Sequence, residues 1–202
     1  MRMRINPASP FARKVRIVAR ETGTIGRIEE IDTAVSPVTP NPDLAAANPL
    51  VKIPALVLDD GSTLYDSRVI AEYLDALGGG GLFPATGTER WQALRLQALC
   101  DGILDAAVLT RYETAVRPQP LQWSEWIAGQ RRKIEGGLDA LEAEHAQWGE
   151  RFGIGQIGAA CVLGYLDFRF PDIDWRASRP GLKRWFERVS ERKSVRDTMP
   201  SA

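Results

Sequence analysis

Four consecutive glycines, Gly78 to Gly81, followed by Pro84, split this chain into two stretches of different hydrophobic periodicity. A run of this kind sustains neither helix nor strand and reads as a linker. Before it, short apolar runs alternate with helical spacing. After it, strand signals vanish. The pattern predicts a small α/β domain over residues 1–78, a linker over 79–87 and an all-helical domain over 88–202. A length of 202 residues suits one large domain or two small ones, and 44% hydrophobic residues suffice to bury a core.

The first stretch reads βαβαββα. Residues 2–6 predict a short strand, with Arg2 and Arg4 flanking Met3, so a partly exposed strand is expected. Pro7 to Pro10 is a turn. Phe11 to Glu21 has helical spacing (Phe11, Val15, Val18, Ala19) and Gly23 closes it. Residues 27–32 predict a second strand, and a proline-rich loop leads to a helical turn over 43–47. Residues 55–58 and 63–65 form a hairpin around Asp59 to Ser62. Residues 67–77 return to helical spacing, with Val69, Ile70, Tyr73 and Leu74 expected inward.

The second stretch holds two long helical patterns, over 88–116 and 123–148, separated by Pro118 and Pro120. Trp91 and Leu94 lie within the first pattern. Gly136 and Gly137 interrupt the second at a cost of up to about 1 kcal/mol each, which points to close approach of a neighbouring helix. Helices over 157–170 and 180–189 follow, and Gly153 with Gln156 reads as the cap of the former.

Composition excludes several function classes. The 26 basic and 26 acidic residues cancel, which gives no support for a nucleic-acid or membrane-surface partner. No apolar run reaches the roughly 18 residues of a membrane span, and no opening run resembles a signal peptide, so a cytoplasmic location is expected. Cys100 and Cys161 lie far apart and read as buried small hydrophobes in a reducing compartment. The single histidine, His145, joins no Cys/His cluster, so no metal site is expected.

The stretch Asn48-Pro49-Leu50-Val51-Lys52-Ile53-Pro54 places a proline at the start of a strand, where its missing donor is tolerated. Ile53–Pro54 is a candidate cis bond, since cis costs only about 0.5–1 kcal/mol at X-Pro. Ile53 main-chain groups left unpaired there can receive an extended peptide as an added strand does. Ser9 stands at the start of the first helix, and Asp66-Ser67 at the start of another. Both residue types, serine and aspartate, serve as helix caps.

The residues Ser9 to Val15, Asn48 to Leu56, Leu64 to Leu74, Asp101 to Asp105, Leu163 to Phe170, and Pro180 with Trp185 occur in an order and spacing that resemble bacterial cytosolic glutathione transferases. The resemblance spans essentially the whole chain. It implies a thioredoxin-like N-terminal domain, a helical-bundle C-terminal domain, a homodimer, and glutathione as cosubstrate without metal. It further implies that Ser9 stabilises the glutathione thiolate. Ile53 and Pro54 would pair with the cysteinyl part, Lys52 would meet the glycyl carboxylate, and Asp66 and Ser67 would hold the γ-glutamyl end. Phe11 is also implied in glutathione binding. Phe11, Leu109, Arg111 and Tyr112 are candidates for a second-substrate pocket between the domains.

Thiol pKa values near 8.5 fall to about 3.5–7.5 beside helix N-termini and cationic groups. A two-unit shift needs about 2.7 kcal/mol of preference for the thiolate, and one hydrogen bond to a charged group gives about 1.5–3 kcal/mol. One hydroxyl plus the helix end therefore suffices. No cysteine precedes Cys100, and no tyrosine lies in the first strand or its turn. Within the resemblance, that favours a serine-type transferase over a thiol–disulfide oxidoreductase, and the resemblance implies small, mostly apolar electrophiles as its substrates. A non-catalytic interaction module, and glutathione-dependent peroxide reduction or isomerisation, remain alternative readings of the same motifs.

Overall fold

The computed structural model describes residues 1–201. It contains two compact units, one of residues 1–90 with the segment from Lys193 onward, and one of Trp91–Arg192.

In the first unit, β1 (Arg2–Ile5), β2 (Glu29–Asp32), β3 (Ala55–Val57) and β4 (Thr63–Leu64) form one sheet in the order β2-β1-β3-β4. β1 and β2 run parallel, joined through helix α1 (Pro10–Glu21). β3 lies antiparallel to β1, with Arg4 opposite Ala55 and Met3 opposite Leu56. β4 returns antiparallel to β3, with Leu56 opposite Leu64. β1 is therefore interior to the sheet. Met3 and Ile5 are buried and Arg2 is exposed, as alternation in a strand covered on one face requires. α3 (Ser67–Leu77) packs on α1. α2 (Pro42–Ala47) supplies Leu44 and Ala47 to a cluster with Ala55, Val35, Val51, Ile53 and Val57. In α3 the buried face is Ile70, Ala71 and Leu74. Val69 is exposed, because it lies about 100° round the helix from Ile70 on the side away from Ala71 and Leu74.

The helical unit holds most of α4 (Gly87–Ala115), with α5 (Ser124–Glu144), α6 (Ile154–Arg169), α7 (Trp175–Ser178) and α8 (Pro180–Ser190). Every residue from Ile154 to Leu166 is buried, so α6 is the core helix. It begins three residues earlier than its apolar spacing suggests, since Gly153 is the cap and its N–H donates to Gln156 Oε1 at 3.1 Å. α5 stops at Glu144 rather than running to Trp148, and a 3₁₀ turn over His145–Gln147 follows. Glu142 accepts from the Gly181 and Leu182 N–H groups at 2.9 and 2.8 Å, which caps α8 from α5. Cys100 and Cys161 are buried and are not in disulfides. Trp91, expected in the apolar pattern, is 69% exposed.

The C-terminal segment departs from the division expected at residue 88. Helix α9 (Lys193–Arg196) packs on α1 and belongs to the first unit. Buried Arg13 donates Nη2 to the Val195 carbonyl at 3.2 Å, and Ser194 donates to the Glu21 carboxylate. A four-residue helix carries too few residues to show a period, and its anchor lies far away in sequence.

The two glycines inside α5 do different things. A Cβ on Gly137 would lie 2.4 Å from Ile103 Cγ1 of α4, whereas one on Gly136 would meet nothing. Gly137→Ala is expected to lower stability by about 1–3 kcal/mol through overpacking. Gly136→Ala is expected to raise it by up to about 1 kcal/mol through helix propensity. Thermal unfolding of both variants by circular dichroism reads the opposite signs; matching signs would remove helix approach as the reason for Gly137.

Candidate functional site

The sheet register brings three segments to one end of the first unit. β1 ends at Ile5 beside the start of β3 at Ala55, because the two are antiparallel. β4 ends at Leu64 beside Leu56, by the same geometry. The turn carrying Ser9, the loop ending in Ile53-Pro54 and the turn carrying Asp66-Ser67 therefore share that end. Two helices, α1 and α3, begin there, and each start places unpaired N–H donors and the positive end of a helix dipole at the site.

Ser9 is the N-cap of α1, with extended backbone (φ −80°, ψ 122°), and its Oγ accepts from the Ala12 N–H at 3.2 Å. Pro10 occupies the first helical position, where no N–H is needed. Ser9 N–H donates to the Asn6 carbonyl at 2.9 Å, which fixes the turn. The cap interaction uses one lone pair of the hydroxyl and leaves its proton available to a ligand.

The loop before β3 is organised by Asn48, which is buried. Its Oδ1 accepts from Leu50 N–H at 3.0 Å and its Nδ2 donates to the Lys52 carbonyl at 2.9 Å. Its main-chain N–H donates to Leu44 at 2.8 Å, and its carbonyl accepts from Val51 at 2.9 Å. Val51 is held at φ +53°, a left-handed conformation that costs a β-branched residue about 1–2 kcal/mol. Beyond it, the side chain of Ile53 anchors in the cluster with Leu44, Ala47 and Ala55. The Ile53 main-chain groups make no hydrogen bond among the described residues. Ile53–Pro54 is cis, and Pro54 is buried. The Lys52 side chain is exposed.

Asp66 is the N-cap of α3, and its Oδ1 accepts from Arg68 N–H at 2.9 Å. Ser67 is the first residue of α3 and is buried. The Tyr65–Asp66 bond is also cis. Asp66 is exposed, so its second carboxylate oxygen faces solvent.

Phe11 lies half-buried in the first turn of α1, with the Lys14 ammonium 6.0 Å from its ring centroid. Leu109, Arg111 and Tyr112 lie near the C-terminal end of α4 in the helical unit; Leu109 and Arg111 are exposed and Tyr112 is half-buried. Burial raises the Tyr112 phenol above its ordinary pKa. In α6, burial pushes the Tyr165 phenol up to about 12, with Arg169 and Arg111 pulling it down and Tyr112 pushing it up. No role follows from the sequence alone for Tyr165 or for Asn48. The i, i+4 spacing of Tyr165 with Arg169 puts both on one face of α6. Among the described residues, no group of three or more His, Cys, Asp or Glu side chains is placed to hold a metal ion. No helix among them is long and apolar enough to cross a membrane.

Comparison with known proteins bears on the fold and the family. Residues 8–77 match the family model of the glutathione S-transferase N-terminal domain, and residues 124–188 that of the glutathione S-transferase C-terminal domain. The GST-like protein YibF of Escherichia coli K12 is 34% identical over 197 residues, covering 95% of each chain. A glutathione transferase family member from Pseudomonas fluorescens Pf-5, solved with bound glutathione, is 48% identical and superposes with a TM-score of 0.97 over 100% of this chain and 99% of that one. A structure of a Pf-5 family member with bound S-(propanoic acid)-glutathione is 46% identical, with a TM-score of 0.92 over 100% of both chains. The small mixed sheet followed by helices is thus the thioredoxin-like plus helical-bundle fold, and the chain belongs to the glutathione S-transferase family.

Proposed function

We propose that this protein is a serine-type glutathione S-transferase, which binds glutathione across one end of the first unit and adds its thiolate to small electrophiles. The observation that carries the reading is the meeting of the Ser9-capped α1 start, the unpaired Ile53 main chain and the Asp66-Ser67 start of α3 at one sheet end. Glutathione bound by the Pseudomonas relatives supports it.

The tripeptide lies extended, and its cysteinyl main chain pairs with Ile53 as an added strand. Its γ-glutamyl carboxylate sits at the α3 N-terminus beside Ser67, with the ammonium toward the free oxygen of Asp66. Lys52 meets the glycyl carboxylate, and Phe11 and Pro54 line the apolar floor. The thiol comes to the α1 N-terminus, where Ser9 donates its hydroxyl proton to the thiolate while still capping Ala12. The thiolate then forms the new C–S bond, and the leaving group departs with its electron pair. Candidate electrophile contacts are Phe11 on the first unit and Leu109, Arg111 and Tyr112 on the helical unit. The acting form is a cytoplasmic homodimer of 22.3 kDa chains, to which exposed Val69 and Trp91 offer apolar surface. Light scattering on purified protein is expected to give twice the chain mass; the mass of a single chain would overturn that assignment.

Ser9→Ala is expected to raise the thiol pKa of bound glutathione by about 1–2 units, the equivalent of one charge-assisted hydrogen bond. The acid limb of kcat/KM for a chloronitrobenzene electrophile then moves up by the same amount. Ser9→Ala also removes a cap at a cost of about 1 kcal/mol, so Ser9→Asp serves as the control. It keeps the cap and stability but sets a negative charge against the thiolate, and activity is expected to fall further. Unchanged turnover in both variants would take Ser9 out of the mechanism.

Asn48→Ala is expected to cost about 1–3 kcal/mol of stability by leaving buried groups unpaired. Its second effect separates this reading from a purely structural one. KM for glutathione rises several-fold while kcat at saturation holds, because the Ile53 edge loses its fixed geometry but Ser9 does not. Calorimetry with glutathione gives the same comparison without turnover, and unchanged affinity would detach the loop from binding.

A further inference from the structure

β1 hands over to α1 through Asn6-Pro7-Ala8-Ser9-Pro10. The rings of Pro7 and Pro10 fix φ at about −65°. Asn6 and Ser9 each precede a proline, which keeps both out of the helical region. Ser9 accordingly has φ −80° and ψ 122°. Ala8 is the one residue of the turn that neither rule restrains. The prolines also leave Ala8 and Ser9 as the main-chain donors between Asn6 and α1. Both donate to Asn6: the Ser9 N–H to its carbonyl at 2.9 Å, and the Ala8 N–H to its Oδ1 at 3.0 Å. The side chain of Asn6 thus holds the unrestrained residue directly before Ser9.

The amide is itself aimed. Its Nδ2 donates to Asp32 Oδ1 at 3.4 Å, across from the end of β1 to the end of β2, where Ile5 and Asp32 stand in register. That contact is too long to add much stability. A carboxylate accepts and does not donate, however, so it selects the orientation in which Oδ1 turns toward Ala8. Support for Ser9 therefore runs from two strand ends through one side chain.

We infer that Asn6 is a positioning residue for Ser9: through Ala8 it sets where the Ser9 hydroxyl stands when glutathione is bound. This rests on the serine-type transferase reading, in which the Ser9 proton meets the thiolate. Ser9 Oγ accepts from the Ala12 N–H at 3.2 Å, so the reach of its proton follows the backbone of the turn. A misplacement of about 1 Å can cost about a hundredfold in rate. Asn6 is assigned no contact with glutathione, and its whole effect passes through Ser9.

The test reads the pKa of the glutathione thiol bound to the full chain, from the ultraviolet absorbance of the thiolate against pH. Asn6→Ala is expected to raise it by about 0.5–1 unit, part of the effect of one charge-assisted hydrogen bond. Affinity for S-methylglutathione, which has no thiol proton to lose, is expected to hold. The double variant with Ser9→Ala is expected to show no rise beyond Ser9→Ala alone, because the two residues act through one group. Asn6→Ser offers the Ala8 N–H a weaker acceptor in a similar turn. It recovers part of the shift, and it takes the place of Asn6→Ala should that variant fail to fold. A thiol pKa unmoved in the folded Asn6 variants while Ser9→Ala moves it overturns the inference, whatever the melting temperature does, and leaves the transferase reading standing. A full further rise in the double variant also overturns it, since Asn6 would then act on the thiolate by its own route. If Ser9→Ala itself leaves the pKa unmoved, the serine-type reading fails and the positioning role fails with it.

Discussion

Everything at the candidate site depends on the antiparallel pairing of β3 with β1. Because Arg4 faces Ala55 and Met3 faces Leu56, the exit of β1 and the entry of β3 fall at the same end of the sheet. A second reversal into β4 then returns the chain to that end for α3. A parallel β3 would have put Ile53 at the opposite end from Ser9, and no side-chain choice could have joined them. The register also sorts side chains by face. Met3 and Leu56 stand on one face, while Ala55 and Val57, with Ile53 just before them, turn to the α2 cluster. Ile53 is thus fixed by its side chain and free at its backbone, which is what recognition of a peptide main chain requires.

The two helix starts at this end carry complementary roles within one principle. Each exposes donors and a partial positive charge, and each is capped by a residue with capacity left over. Ser9 spends a lone pair and keeps its proton. Asp66 spends one oxygen and keeps the other. The first suits an anionic sulfur; the second suits an ammonium beside a carboxylate. Capping and ligand binding do not compete here, because each cap uses a valence the ligand does not need.

The α/β-then-α order was legible in the sequence because hydrophobic period is a local property, and Ser9, Ile53 and Asp66-Ser67 stood out through turn and cap chemistry that needs only a few neighbours. What was not legible depends on distant partners. The grip of Arg13 on Val195 crosses nearly the whole chain, so the last helix fell to the wrong unit. Gly136 and Gly137 look alike in sequence and differ only because Ile103 stands against one of them. Val69 and Trp91 are apolar residues at positions whose surroundings periodicity does not specify.

Val51 shows how the loop before β3 keeps its shape. A β-branched residue in the left-handed region costs about 1–2 kcal/mol. Complete burial of a valine side chain returns about 1.5–3 kcal/mol, and Val51 is only partly buried in the α2 cluster. Packing and strain therefore roughly cancel, and neither decides the conformation. The remaining terms are the hydrogen bonds around Asn48, each worth about 0.5–1.5 kcal/mol, which tie Leu44, Leu50, Val51 and Lys52 to one buried residue. The Ile53 edge inherits its position from those bonds. Its stiffness is a property of Asn48, four residues before the last tie at Lys52, rather than of the proline that first draws the eye to this stretch.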